Sequence, residues 1–522
     1  MRSRPLSPAA SRKGRGSRLV KPPPLAGGGW GRGRHGIGWT TALALLAVLT
    51  LARLAVARYA PLAPDEAYYW VWSRALAPGY LDAPPMVALW IRAGTWLAGP
   101  GALGVRLLGP LSAALGSLLL WDAGERLLPG RRAGLVGAAL LNATLLFGVG
   151  AVVMTPDTPL LFFWVACLWA LARFLSARRG AWLVLAGLFG GLALDSKYTA
   201  ALLAPAILLW LLAVPELRRW LIRPSLWLGA LTGAAAFAPV LAWNAAHGWA
   251  SFLKQGSRIG EFRPANAIRF LGELAAGQAG LATPLVFVLC VAGGLVALRL
   301  AWKRRDPAWT LLAVLSVLPA LVFIQHAFGD RVQANWPAVL YPSATLAAAG
   351  LDGRIWVRLR APAVALGFTI TALAYVQATA APFPLAPSLD PTALRLAGWR
   401  GLAEQVEMAR RAAGASFVAA DDYGEAAELA RALPASVPVI GVEHRWALFA
   451  LPRPAIGGKA GILVRSARRG PDLDANPWSS LHPLGGAERR RGGQVIEAFR
   501  LYRVTARASA GVPEALLPRA SR

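Results

Sequence analysis

The sequence predicts an all-α polytopic membrane domain followed by a small extracytoplasmic α/β domain. Three observations carry this. The chain is 56% hydrophobic and only 16% charged, with a mean hydropathy of +0.47, whereas soluble domains carry about a quarter charged residues. Apolar runs of about 15–20 residues recur from Gly38 to Thr379, each closed by Arg, Lys, Pro or a polar cluster, as bilayer-spanning helices require. After Ala381 the pattern turns to mixed polarity. The expected division is therefore a basic tail over 1–36, a membrane domain over 37–380 and a C-terminal domain over 381–522.

The spanning segments fall near 37–57, 103–122, 133–150, 158–176, 181–194, 198–214, 225–243, 281–300, 308–324, 337–351 and 361–379. The segment 84–97 is also apolar, but it is short and opens on Pro84–Pro85. If it lies in the outer interface, the loops holding Arg131–Arg132, Arg178–Arg179, Arg218–Arg219–Arg223, Lys303–Arg304–Arg305 and Arg354–Arg358–Arg360 all face the cytoplasm. If it crosses, all five flip outward, against the positive-inside rule. The non-crossing reading gives eleven spans, a cytoplasmic N-terminus and a C-terminal domain outside. Arg far outnumbers Lys and Ala is abundant, as in a GC-rich bacterial genome, which is context and not function; the expected location is the bacterial inner membrane.

The net charge of +29 raises nucleic acid as a partner, and its placement argues against one. Much of it sits in the N-terminal tail and in short loops between spans, which is a topogenic pattern and not a binding stripe. The tail, rich in Pro, Gly and Arg, is expected to be disordered. Its following apolar run lacks a small-residue cleavage site and is read as a retained first span. Cys167 and Cys290 both fall inside spans, which excludes a disulfide framework and a thiolate metal site.

With this topology the loops with unusual polar chemistry share the outer face: 58–83, 155–157, 195–197, 244–269 and 325–336. Function concentrates in loops. The sharpest signal is PDEAYYWVWSRALAPGYLDAPPM, residues 64–86, which sets Asp65 and Glu66 beside an aromatic cluster just past the first span. A carboxylate there can take the proton of a hydroxyl or amine as it attacks an anomeric carbon. The bland alternative is an acidic helix start within an aromatic belt. Asp82, ahead of Pro84–Pro85, adds a carboxylate to the same loop.

Several pieces then line up in order. Asp-Glu with its aromatics precedes Gly-Tyr-x-Asp-x-Pro-Pro. Thr-Pro-Asp at 155–157 runs into Pro-Leu-Leu-Phe-Phe-Trp, and Ser-Lys-Tyr at 196–198, WNAAHGWASFLKQ at 243–255 and ANWPAVLYPSA at 334–344 follow. The order resembles that of glycosyltransferase family 39-like membrane enzymes of the GT-C class, which include protein O-mannosyltransferases and aminoarabinose transferases of lipid A. The resemblance covers the chain from Leu51 to about Val504. It implies an integral membrane enzyme that moves a sugar from a polyprenyl-phosphate donor to a lipid, glycan or protein acceptor on the outer, periplasmic face.

The resemblance also implies roles. Asp65 matches the proposed catalytic base, with Glu66 supporting it, and Asp82 and Asp157 match acidic outer-loop positions. The aminoarabinose transferases carry a Lys directly after the acid corresponding to Asp82; here it is Ala83, which argues against aminoarabinose. The donor's phosphate calls for cations. Lys197, flanked by Tyr198 and set between two apolar helices, is the first candidate, because a lone ammonium there is costly without an anion; a snorkelling Lys is the alternative. Arg258 and Arg331 come next, with Lys254, Arg263 and Arg269 read as lipid-headgroup contacts. Some relatives bind a divalent cation near their carboxylates, and Asp82 with His326 is the pair that would do so here.

The C-terminal domain reads as a helix over 402–413, a strand over 416–420, the loop Asp421–Asp422–Tyr423, a helix over 425–433, and strands over 437–442, 460–464 and 495–504. A secondary transporter and a non-catalytic lipid-binding assembly protein are the competing classes. The first lacks matching halves here, and the second does not account for Asp65–Glu66.

Overall fold

A computed structural model describes residues 38–256, 264–470, 473–507 and 514–519. Arg258, Arg263 and the basic tail lie outside the described residues. Met1–Ala44 and Leu45–Arg522 separate as two compact units; the first is represented by the opening residues of α1 and the second holds everything else.

The membrane part begins with α1 (Trp39–Tyr59), α2 (Pro64–Arg74), α3 (Met86–Ala98), α4 (Ala102–Arg106) and α5 (Leu108–Leu127). The expected span 133–150 is two helices, α6 (Ala133–Asn142) and α7 (Leu145–Gly150), because the Thr144 hydroxyl accepts from Phe147 N and starts a new helix. Next come α8 (Asp157–Ala177), α9 (Ala181–Leu194), α10 (Leu203–Ala213), α11 (Pro224–Ala246) and α12 (Ala250–Gly256). An amphipathic helix that the hydropathy pattern did not suggest, α13 (Pro264–Leu281), precedes α14 (Pro284–Arg304), α15 (Pro307–Ala327), α16 (Tyr341–Ala349) and α17 (Arg354–Thr379).

Among the described residues seven helices are long and apolar enough to cross a bilayer, and shorter apolar helices accompany them, among them α3, α6 and α9. Large apolar side chains such as Leu51, Leu231 and Leu295 stand exposed on these helices, as lipid-facing positions do. Where helices touch, small residues let the backbones close in. A Cβ at Gly187 or Gly191 of α9 would run into the backbone of Gly229 or Gly233 of α11, the packing expected where no hydrophobic force separates helix from lipid.

The C-terminal part holds α18 (Pro391–Leu396), α19 (Trp399–Ala412) and α20 (Tyr423–Ala432) with six strands: β1 (Phe417–Ala420), β2 (Val439–Val442), β3 (Ala460–Ser466), β4 (Trp478–Arg491), β5 (Gln494–Ala506) and β6 (Glu514–Leu516). The sheet order is β4-β5-β3-β1-β2-β6. β1 pairs parallel with β2 and β3, and the outer pairings are antiparallel. One apolar cluster joins α2 and α3 to α20 and the sheet through Leu62, Trp70, Trp72, Val418 and Leu429. The C-terminal domain is thus packed on the segment that follows α1, and this contact builds the site.

Candidate active site

Helix α2 starts where it does because Pro64 occupies its first turn and Ala63 offers no side-chain cap. Glu66 supplies the other half of a capping box by accepting from Ala63 N at 2.9 Å. Its other partners are Arg106 Nε at 2.7 Å, Arg106 Nη2 at 2.5 Å and Met154 N at 2.9 Å. Glu66 is fully buried, so it touches no open space. Glu66, expected from the resemblance to support Asp65, has its oxygens committed to Arg106 and two backbone amides, which fixes the turn that carries Asp65.

Asp65 faces the other way, into a cavity of about 620 Å³ also lined by Tyr68, Tyr69, Asp82, Asp157, Lys197, Tyr198, His326, Arg395 and Tyr423. Its Oδ1 accepts from the Tyr423 hydroxyl at 3.1 Å. Burial raises the Asp65 pKa; Tyr423 and Arg395 oppose the rise, and Glu66 and Asp422 add to it, for a net increase. A half-buried carboxylate with raised proton affinity, and with no ion pair among the described residues, is suited to accept a proton.

Asp82 has the opposite environment. Oδ1 accepts from Lys254 Nζ at 2.5 Å, and Oδ2 from Tyr68 Oη at 2.8 Å and Arg445 Nη1 at 2.9 Å. Burial alone would raise its pKa, but Arg445 and Lys254 outweigh it and hold Asp82 below the ordinary carboxylate range. Asp82, paired in the sequence reading with His326 as a cation site, is held here by two positive side chains. Among the described residues no group of three or more metal-ligating side chains forms.

Asp157, in the first turn of α8, joins two loops. Oδ1 meets Lys197 Nζ at 2.7 Å and Oδ2 accepts from Asn335 Nδ2 at 2.8 Å. Lys197 therefore has a carboxylate partner that its neighbours in sequence did not reveal. Tyr198 lines the same cavity, its hydroxyl 2.8 Å from Ser251 Oγ. Arg331 is not in the cavity wall; it is exposed and paired with Glu273 at 2.5 Å. Lys254, read from sequence as a lipid-headgroup contact, is instead a partner of Asp82.

The structure thus brings together Asp65, Asp82, Asp157, Lys197 and Tyr198, and leaves Glu66 and Arg331 outside the cavity. Sequence reasoning missed Arg106, Tyr423, Arg445 and Arg395. Only Tyr423 carried a signal, in the Asp421–Asp422–Tyr423 loop.

Comparison with known proteins agrees with this architecture. Residues 82–243 match the family described as dolichyl-phosphate-mannose-protein mannosyltransferase. Over 410 residues the chain is 30% identical to the lipid A galacturonosyltransferase RgtD of Rhizobium johnstonii, covering 74% of this chain and 82% of that protein. Among solved structures, ArnT from Cupriavidus metallidurans bound to undecaprenyl phosphate superposes with a TM-score of 0.59 at 15% identity, covering 89% of this chain and 98% of that one. The same enzyme in the apo state gives 0.58 at 16% identity. The chain belongs to the GT-C class of membrane glycosyltransferases, within the family 39-like group.

Proposed function

We propose that this glycosyltransferase takes its sugar from a polyprenyl-phosphate donor and delivers it to a hydroxyl or amine at the periplasmic face of the bacterial inner membrane. The observation that supports it is the division of labour among three carboxylates on one cavity: Asp82 and Asp157 are neutralised by cations, and Asp65 is held, among the described residues, by the Tyr423 hydroxyl. The acceptor's heteroatom bonds to the anomeric carbon as the bond from that carbon to the phosphate oxygen breaks. The electron pair leaves with the polyprenyl phosphate, and the acceptor's proton passes to Asp65. Lys197, steadied by Asp157, faces the negative charge that grows on the leaving phosphate. Tyr198 borders the donor, and Asp82 ties the first outer loop to the C-terminal domain. Arg258 is kept as a further candidate phosphate contact, and Arg331, outside the cavity wall and paired with Glu273, is left among the membrane lipids.

The division at residues 37–380 and 381–522 is retained as part of this proposal, with the second domain closing the outer side of the site. The name of the Rhizobium relative makes lipid A the first acceptor to test and galacturonic acid the first sugar. Mass spectrometry of envelope lipids and glycans from a deletion strain tests the reading. Loss of one glycosyl mass from a single envelope component, restored by the wild-type gene and not by an Asp65→Asn copy, is the expected result. An unchanged envelope profile counts against it.

A further inference from the structure

We propose that Tyr423, carried by the C-terminal domain, is a positioning residue for Asp65: its hydroxyl keeps the carboxylate oriented toward the cavity and negatively charged. The inference rests on the reading of Asp65 as the general base, and it gives the C-terminal domain a part in the reaction.

The segment Asp421–Asp422–Tyr423–Gly424 follows β1, and each residue has one task. Asp421 is paired with Arg465 and Arg469, which anchors the end of the strand. Asp422 caps α20 by accepting from Gly424 N at 2.8 Å and Glu425 N at 3.1 Å. Both acids are thereby used up inside the C-terminal domain. Tyr423, the first residue of α20, is left facing α2. Gly424 permits the approach, since a Cβ there would lie 2.8 Å from Pro64 Cβ, beside Asp65.

The Tyr423 ring is held from two sides, with the Arg445 guanidinium 4.1 Å from its centroid and the Tyr68 ring at 4.5 Å. Arg445 is itself fixed on Asp82. The hydroxyl then has a defined direction, onto Asp65 Oδ1 at 3.1 Å. Burial pushes the phenol well above its ordinary pKa, so it remains a donor at physiological pH. The titratable and charged groups that act on Asp65 are Tyr423 of α20 with its cap Asp422, Arg395 of α18, and Glu66 and Tyr69 of α2. Loss of the Tyr423 hydroxyl removes the largest influence that opposes burial, so Asp65 holds its proton to higher pH.

Carbodiimide labelling tests this without depending on turnover, because the reagent couples to protonated carboxyls. The full-length protein in detergent is labelled across a pH series, and the Asp65 peptide is quantified by mass spectrometry in wild type, Tyr423→Phe and Gly424→Ala. Tyr423→Phe keeps the ring and its packing. Half-labelling of Asp65 should move to higher pH, with labelling at a fixed pH above the wild-type midpoint rising about tenfold, as loss of a hydrogen bond to a charged group implies. Gly424→Ala, which displaces α20 from Pro64, should move it the same way with the tyrosine intact. Coincident labelling curves for wild type and Tyr423→Phe overturn the inference. Where substrates are turned over, the Tyr423→Phe deficit in kcat should be greatest at acid pH and shrink as pH rises, whereas loss of fold lowers activity evenly. A shifted labelling curve in an enzyme that proves to transfer no sugar leaves the tyrosine assignment standing and sinks the proposed function.

Discussion

Replacing Glu66 by Gln separates its role from that of its neighbour Asp65. The change keeps the side chain's shape and removes its charge. Arg106 then stays buried beside a neutral amide, and Gln brings two hydrogens into a position where Arg106, Ala63 N and Met154 N all need an acceptor. Side-chain exposure is 1% for Arg106 and 0% for Glu66, so solvent offers little relief. Breaking a buried pair from one side typically costs about 3–5 kcal/mol, a large share of a total stability of roughly 5–15 kcal/mol. Arg106 also donates to Ala60 O at 2.7 Å and Pro61 O at 2.8 Å, so the damage extends to the exit of α1. Thermal denaturation of the detergent-solubilised protein, followed by size-exclusion fluorescence, should show Glu66→Gln and Arg106→Gln each markedly less stable. The double variant Glu66→Leu/Arg106→Leu should lose less than the sum of the single Leu variants, because no lone charge remains. Wild-type stability in Glu66→Gln together with lost turnover would refute this reasoning and return Glu66 to the chemistry.

Three further outcomes are expected. Lys197→Ala should weaken use of a short-chain polyprenyl-phosphate sugar by about 1.5–3 kcal/mol, with part of the loss in kcat because leaving-group charge grows during transfer, and Lys197→Arg should restore it only in part; steady-state kinetics with both variants decides, and unchanged donor kinetics in Lys197→Ala removes the phosphate role. Asp82 is held below its ordinary pKa, so its contribution to stability is present above the unfolded-state value and fades as pH falls through the depressed one. Denaturation midpoints across pH should therefore show an acid-side decline in the wild type that is smaller in Asp82→Asn, which starts less stable because Lys254 and Arg445 lose their shared acceptor. Cysteine-accessibility labelling should place position 65 and the 381–522 domain on one side of the membrane and Arg131 and Arg304 on the other; labelling of positions 65 and 131 from the same side would break the charge-parity argument.

The features legible in the sequence share one property: their cause lies within a few residues. The bounds of α9 at 181–194 follow from an uninterrupted apolar run between Arg179–Gly180 and Asp195. The α2 loop announced its acids and aromatics together. Side chains that meet across the fold gave no such signal. Glu66 and Arg106 are 40 residues apart, Asp65 and Tyr423 are 358, and Asp82 and Arg445 are 363. Helix α13 escaped because Arg269, Glu273 and Gln278 lower its hydropathy, although its period is helical. Strand β4 escaped because Pro483 and Gly485–Gly486 read as a loop. It forms at the edge of the sheet with register shifts at those residues, where a missing donor is tolerated. The different surroundings of Asp65 and Glu66 needed the structure, since adjacent residues on a helix point about 100° apart.

The central claim is that Asp65 accepts the acceptor's proton during transfer from a polyprenyl-phosphate sugar. A single-turnover measurement on purified wild-type and Asp65→Asn protein, following release of polyprenyl phosphate from a donor bound at saturation, tests it most directly. The account predicts normal expression, membrane insertion and donor binding in Asp65→Asn, with phosphate release slowed by a factor on the order of 10²–10⁴, the usual contribution of a general base. Release at close to the wild-type rate in Asp65→Asn contradicts it.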